Sequence, residues 1–187
     1  RNSSGQEVTF DVADLPDPAA TATAPTVTLG APSSSGGTVQ ATVINQTGTK
    51  YVDVVYTPPP GASLDLTTIL GATGEFTLTG PGAARTVGAP VPVLAITTAT
   101  GIDFLAITML VDATGAYYMN GTTRVDVLPK TDGMSDEQLK LAALRALGIT
   151  RFRYDIGSAD LAMGTWTLTF AADSVKNASI TTDAGTT

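Results

Sequence analysis

Carboxylates are the residues whose spacing most suggests chemistry here. Asp11, Asp14 and Asp17 stand at three-residue intervals in a stretch of Ala and Pro. Hard oxygen donors on an irregular loop suit Ca²⁺, so these three are the candidate metal ligands and calcium the candidate cofactor. The competing reading is a solvated linker, and the lack of an EF-hand loop or a glycine-rich nonapeptide repeat weighs toward it. Asp132, Asp136 and Glu137 form a second acidic group, but at a predicted helix start they are explained by the helix dipole. Asp53, Asp65 and Asp173 read mainly as turn and edge residues. Tyr117 and Tyr118, with Trp166, are candidate ligand contacts, because aromatic faces stack on sugars; packing in a core or on a sheet is the stronger alternative. Thr165, Thr167 and Thr169 make a row suited to sugar or ice hydroxyls, and equally to any solvent-facing strand. Asn2, Asn45, Asn120 and Asn177 each begin an Asn-x-Ser/Thr triplet, which turn chemistry also explains.

Catalytic groups are harder to find. The sequence has no histidine and no cysteine. Zinc sites, His-based triads, thiol chemistry and disulfides are therefore excluded within it. No nucleophile elbow, P-loop or dinucleotide fingerprint is present, and the Gly-rich pieces GATGEFTLTG and LGAPSSSGG read as turns. The expectation is a protein without enzymatic activity and without catalytic residues.

The 187 residues suffice for one core, or one core and part of another. Residue 1 is Arg, which suggests a fragment or a processed product. The sequence contains no signal peptide and no apolar run long enough to span a bilayer. The net charge of -7 argues against nucleic acid or an anionic membrane as partner. Charged residues are 14% of the total, well below the ~25% of ordinary soluble domains, while Thr alone numbers 32. A surface made polar by Thr is associated with β-rich extracellular proteins.

The elements that must carry these residues are mostly strands. The central pair is Lys50–Thr57 and Glu75–Thr79, joined by a long turn through Pro58-Pro59-Pro60-Gly61, which cannot continue a ladder. Period-two alternation puts Val52, Val54 and Tyr56 on one face of the first strand, and Phe76 and Leu78 on one face of the second. Further strands are predicted at Glu7–Val12, Thr26–Leu29, Val39–Ile44, Val91–Thr98, Phe104–Val111, Phe152–Ile156 and Gly164–Ala171. The 104–111 run is continuously apolar, so it should be buried on both faces or covered. In the last strand Trp166, Leu168 and Phe170 should point inward. Asn120-Gly121 is the strongest hairpin signal, as the two central residues of a type I′ turn. One helix is well specified at Asp136–Leu147. Ser135 with Gln138 makes a capping box, Met134 and Leu139 a hydrophobic staple, Leu141, Leu144 and Leu147 a stripe, and Gly148 a left-handed stop with Ile149 folding back on Leu144.

PTVTLGAPSSSGGTVQ, KYVDVVYT, LDLTTI, GEFTLTG, FRYDI and GTWTLTFAADSVKNA, taken in this order, resemble a tandem repeat of very large secreted bacterial adhesin-like proteins, which often also carry RTX repeats. The resemblance covers roughly residues 25–95 and 151–178, and it rests on the ordered set, since no single motif is diagnostic. It implies an all-β, immunoglobulin-like antiparallel β-sandwich. Residues 1–24 would be the closing strand of a preceding repeat, or a linker, with VTFDVADLPDPAA echoing LTFAADSVKNAS. Residues 25–178 would form the sandwich, with an insertion at about 96–150 carrying the hairpin and the helix, and 179–187 a flexible tail. The implied function is a non-catalytic structural or adhesive module, extracellular or on the bacterial cell surface, whose partners are neighbouring repeats and a glycan or surface protein. The alternatives are a carbohydrate- or protein-binding module that uses the insertion, and an accessory domain of a secreted hydrolase.

Overall fold

The computed structural model describes residues 26–30, 38–40, 45, 50–60, 62–71, 76–170 and 178–183. Asp11, Asp14, Asp17, Asp173, Asn2, Asn177, the Glu7–Val12 strand and the 13–25 linker lie outside these residues. Within them the protein is mostly antiparallel β-sheet with two helices, as an all-β sequence should be. It divides into two compact units, Arg1–Pro90 with Tyr154–Thr187, and Val91–Arg153.

In the first unit β1 (Thr26–Leu29) pairs antiparallel with β3 (Tyr51–Thr57), setting Val27 opposite Tyr56 and Leu29 opposite Val54. On the other side of β3 runs the end of β10 (Arg151–Asp155): Lys50 N–H donates to Gly157 O at 3.1 Å, and Ile156 N–H to Lys50 O at 2.9 Å. A second sheet has the order β2 (Thr38–Gln40), β12 (Ala178–Asp183), β11 (Gly164–Phe170), β4 (Phe76–Thr79). Its β2–β12 pair is parallel and the rest antiparallel.

Alternation decides the faces as expected. Val52, Val54, Tyr56, Phe76, Leu78, Trp166, Leu168 and Phe170 are all buried, while Thr165 and Thr169 are exposed and Thr167 half-buried. The Phe76 ring meets the Tyr154 ring edge-on at 4.8 Å and the Phe170 ring at 5.1 Å, the offset geometry that aromatic quadrupoles favour. The hydroxyls of Tyr56 and Tyr154 share a buried hydrogen bond of 2.8 Å, so these phenols enter the core without losing a partner.

Three features of this unit differ from expectation. The long turn contains a helix, α1 (Leu66–Gly71), capped by Asp65. The Asp65 Oδ1 accepts from the N–H of Thr67 at 3.0 Å and of Thr68 at 3.3 Å, and Leu66 and Ile69 are buried. Asp53 is no edge residue: it is 0% exposed on β3, a strand with neighbours on both sides. Residues 179–183, expected to belong to a flexible tail, lie in the strand β12.

The second unit begins and ends on adjacent strands. β5 (Val91–Thr98) forms a hairpin with β6 (Gly101–Ala106), and the start of β10 lies on the other side of β5, with Arg153 opposite Val91. β7 (Leu110–Val111), β8 (Gly115–Asn120) and β9 (Thr123–Pro129) make a three-stranded antiparallel sheet. Helix α2 (Asp136–Ala146) packs against all three of these strands.

The ends of α2 are specified by sequence. Ser135 and Gln138 bond reciprocally, the Gln138 N–H to Ser135 Oγ at 3.2 Å and the Ser135 N–H to Gln138 Oε1 at 2.9 Å. Gly148 sits at φ 64°, its N–H donates to Arg145 O, and Ile149 N–H donates to Leu144 O at 3.1 Å. That is a Schellman closure, with Ile149 and Leu144 both buried. Leu139, Ala143 and Leu144 carry the buried stripe, and Leu141 and Leu147 lie half-buried at its margin. Ser135→Ala and Gly148→Ala should each destabilise the protein by about 1 kcal/mol, the first by losing the cap and the second by forcing a Cβ into a left-handed position. Urea denaturation of the two variants checks both values.

The 104–111 run is not one covered strand. It breaks after Ala106, where Ile107 N–H donates to Pro92 O at 2.8 Å and Ile107 and Met109 turn inward. β6 itself is an edge strand in which Phe104 and Leu105 are half-buried and Ile102 is 62% exposed. The hairpin turn is also displaced by one residue. Asn120 pairs with Thr123, so the two-residue loop is Gly121-Thr122, with Gly121 at φ 61°. A glycine at the first central position is the type II′ pattern.

Candidate functional site

The residues expected to contact a ligand fall on opposite faces of the three-stranded sheet. Tyr118 points to the side that α2 covers and is 7% exposed. Tyr117 lies on the outward side with Leu110 and Asp126, its cross-strand partners, and with Met119 and Arg124, the next pair along. Trp166 belongs to the first unit, where it is buried and donates from Nε1 to Ala162 O at 2.8 Å.

Arg124 organises this outward side. Its guanidinium lies 3.6 Å from the Tyr117 ring centroid, a stacked cation–π contact across the ladder diagonal. Nη1 donates to Asp112 Oδ2 at 2.5 Å, Nη2 to Thr114 Oγ1 at 2.7 Å, and Nε to Asp126 Oδ1 at 2.6 Å. Asp112 in turn closes its own turn, accepting at Oδ1 from the Thr114 N–H at 2.8 Å, the Thr114 hydroxyl at 2.7 Å and the Gly115 N–H at 3.2 Å. Gly115 is required beside it, because at φ 151° a Cβ would run into the backbone of Leu128 and Pro129.

The Arg124 guanidinium, followed by the Thr114 hydroxyl and backbone, holds the Asp112 carboxyl far below the usual carboxylate range. Asp112, and then Asp126, raises Arg124 above its ordinary value. Asp112 is thus a weak base at neutral pH, and its lone pairs are engaged. A carboxyl depressed in the folded state adds stability that is complete above its unfolded pKa of about 3.9 and is lost as pH falls below that toward the folded value. Carboxyl-detected NMR should find Asp112 still ionised at a pH where exposed aspartates have titrated. Arg124→Ala should return it toward the ordinary range.

What this face offers is contact. Leu110 is 37% and Met119 40% exposed, on either side of the stacked Tyr117. Around them the polar groups are already bonded to one another, so a partner would meet a pre-ordered surface. The acidic group at the α2 start is likewise accounted for: Asp136 pairs with Lys130, Glu137 lies 3.7 Å from Lys140, and both sit in the helix's first turn. Among the described residues no group of three or more His, Cys, Asp or Glu is placed to hold a metal ion.

The sequence reading missed a second polar cluster, in the first unit. Lys50 is 5% exposed; its Nζ donates to Ser158 O at 2.7 Å and lies 3.0 Å from Asp160 Oδ1. Asn45 bonds the same loop twice, Nδ2 to Leu161 O at 2.9 Å and Oδ1 from Leu161 N–H at 2.8 Å. Arg85 reaches Asp160 O at 2.5 Å and stands 5.8 Å from the Trp166 ring. These contacts fix the 157–163 loop. Asn45, read as the start of an Asn-x-Thr triplet, spends its amide on that task. No local pattern could have revealed the cluster, since Asn45 and Leu161 are 116 residues apart.

The described residues form a mostly antiparallel β protein in which the outward face of β7, β8 and β9 is pre-ordered and partly apolar. No family model, no curated protein and no solved structure matches this sequence. Among the described residues no helix is long and apolar enough to cross a membrane.

Proposed function

We propose that this protein is a non-catalytic structural or adhesive module of a large extracellular bacterial surface protein, with an immunoglobulin-like β-sandwich as its frame. The observation that carries the reading is β11. Its Leu168-Thr169-Phe170 stretch pairs with β4, with Leu168 also opposite β12 and Leu168 and Phe170 buried, and Val8-Thr9-Phe10 repeats its pattern ahead of β1. A copied inner-strand sequence near the opposite terminus is what a tandem array of such units would contain. The Phe76 contacts with Tyr154 and Phe170 support the sandwich, because they bring aromatic rings from both sheets of the first unit into one core.

Calcium belongs to this proposal, with Asp11, Asp14 and Asp17 as its ligands and a stiffened junction between copies as its role. Extracellular Ca²⁺ can fill a weak site of this kind. Ca²⁺ at ten times its dissociation constant should stabilise the fold by about 1.4 kcal/mol. Melting a polypeptide that includes the neighbouring copy, with Ca²⁺ and with EDTA, should show a higher midpoint in Ca²⁺ that Asp14→Ala removes. A midpoint indifferent to Ca²⁺ would leave the acidic stretch as a solvated spacer.

One observation favours a second reading, in which the Val91–Arg153 unit is the binding surface for a glycan or a surface protein. Of the exposed large hydrophobic residues among those described, Val91, Ile102, Leu110 and Met119 belong to this unit and Met163 alone to the other. A glycan array and a surface-protein panel, probed with the whole protein and with Tyr117→Ala, would separate the two readings.

A further inference from the structure

Asn120 and Gly121 are both exposed at the closed end of the β8–β9 hairpin. The displaced turn makes Asn120 the last ladder residue, opposite Thr123, and leaves Gly121 in the loop. The hydrogen bonds that close a two-residue turn are carried by its flanking residues, so the Gly121 N–H stays outside them. Gly121 has no Cβ, and one built there would find nothing within 4 Å. An acylating carbon can therefore reach its nitrogen without steric resistance.

From this geometry we infer that Asn120 is a site of spontaneous deamidation, gated by opening of the hairpin end. Hydroxide removes the Gly121 amide proton, and the nitrogen attacks Cγ of Asn120, the carbonyl carbon of its amide. The new bond from nitrogen to Cγ closes a five-membered succinimide, while the Cγ–Nδ2 bond breaks and Nδ2 leaves as ammonia after taking a proton from water. Water then adds to one of the two ring carbonyls and breaks that carbonyl's bond to the ring nitrogen, giving aspartate or isoaspartate. The sum is one water consumed and one ammonia released, with no redox change. The gate is the strand conformation. An extended ψ of about +135° turns the Gly121 nitrogen away from Cγ of Asn120, so the ring closes only when the Asn120–Thr123 pair has opened.

Both products alter the closed end of the β8–β9 ladder. Isoaspartate routes the backbone through Cβ and Cγ, which adds a backbone atom where the register of β8 on β9 is set. The next pair is Met119–Arg124, so the Arg124 fork to Asp112 and Asp126 moves with it. Aspartate instead adds a negative charge at the last ladder pair, on the side of β8 that Tyr118 takes and opposite that of Arg124.

The whole purified protein should be incubated at mildly acidic and mildly alkaline pH, folded and in urea, then peptide-mapped by mass spectrometry, with isoaspartyl methyltransferase to mark the isomer. The expected result is conversion at Asn120 ahead of Asn45, faster in alkali, with isoaspartate the larger product. Conversion in urea should be about tenfold faster, the factor set by a hairpin-end opening free energy of about 1.4 kcal/mol. Asn120→Gln should abolish the modified peptide. An Asn120 that survives while Asn45 converts would overturn the site, and equal rates in the folded and unfolded protein would overturn the gate.

Discussion

Trp166→Ala should lower the unfolding free energy by about 3–5 kcal/mol. The indole is 1% exposed on β11, so truncation removes a large apolar surface and leaves a void that close-packed neighbours fill poorly. Its fit is tight enough to constrain a neighbour. A Cβ at Gly80 would overlap the indole ring, so that residue is glycine because the tryptophan occupies the space. The substitution also deletes the 2.8 Å bond from Nε1 to Ala162 O. Trp166→Phe, which keeps most of the ring surface and loses the N–H, should cost about 1–2 kcal/mol by comparison. Urea melts followed by circular dichroism measure both. A loss below about 1 kcal/mol for the alanine variant would mean that the burial of β11's inner row does not govern stability.

Deleting residues 91–153 and joining Pro90 to Tyr154 through a short glycine-containing turn should leave the first unit folded. The ends to be joined are already held together. Gly88 N–H donates to Asp155 O at 2.7 Å, so the backbone leaves and re-enters this unit on hydrogen-bonded segments. Closing such a short gap adds little loop entropy. The buried aromatic residues Tyr56, Phe76, Tyr154, Trp166 and Phe170 all lie outside the deletion. Trp166, the only tryptophan in the sequence, reports the outcome directly. Its emission should stay blue-shifted and its urea transition cooperative. Emission at the wavelength of free indole would show that the first unit depends on the deleted residues. The excised unit, at ~60 residues, belongs to the size class in which a lone core is marginal, so its own transition should be broad and at low urea.

Local pattern in the sequence is enough for some of this structure and silent on the rest. Trp166, Leu168 and Phe170 announce their face because period-two alternation is a property of one strand alone. Ser135, Gln138 and Gly148 announce the ends of α2 because caps form within a few residues. Asp65 is legible as a cap in the same way, but Thr67 and Thr68 behind it favour strand conformation. β6 misleads for a physical reason: Ile102, Phe104 and Leu105 are apolar, yet a strand's own residues do not say whether it will be central or peripheral. Asp53 misleads in the opposite direction, since a carboxylate's burial depends on what covers it from afar. The hairpin turn is displaced by one residue because an Asn-Gly pair serves either as the loop or as its entry. For the site, aromatic type and adjacency single out Tyr117 and Tyr118 together. Which of them faces outward, and that Arg124 stacks on it, follow only from the ladder register.

The parallel pairing of β2 with β12 sets how these two strands would respond to opposed traction. β12 lies inside its sheet, between β2 and β11, with Thr181 beside Thr38 and Asp183 beside Gln40. A force drawing the polypeptide away beyond Asp183 runs along β12, and one drawing it back ahead of Thr38 runs the opposite way along β2. Opposed pulls on parallel neighbours slide the strands lengthwise, so their inter-strand bonds share the strain at once rather than peeling one by one. Resistance to such a pull is a matter of unfolding rate rather than of equilibrium stability. The β2–β12 pair is thus arranged as a shear clamp for a pull applied directly ahead of Thr38, whereas a pull entering ahead of Thr26 first meets β1, paired antiparallel with β3.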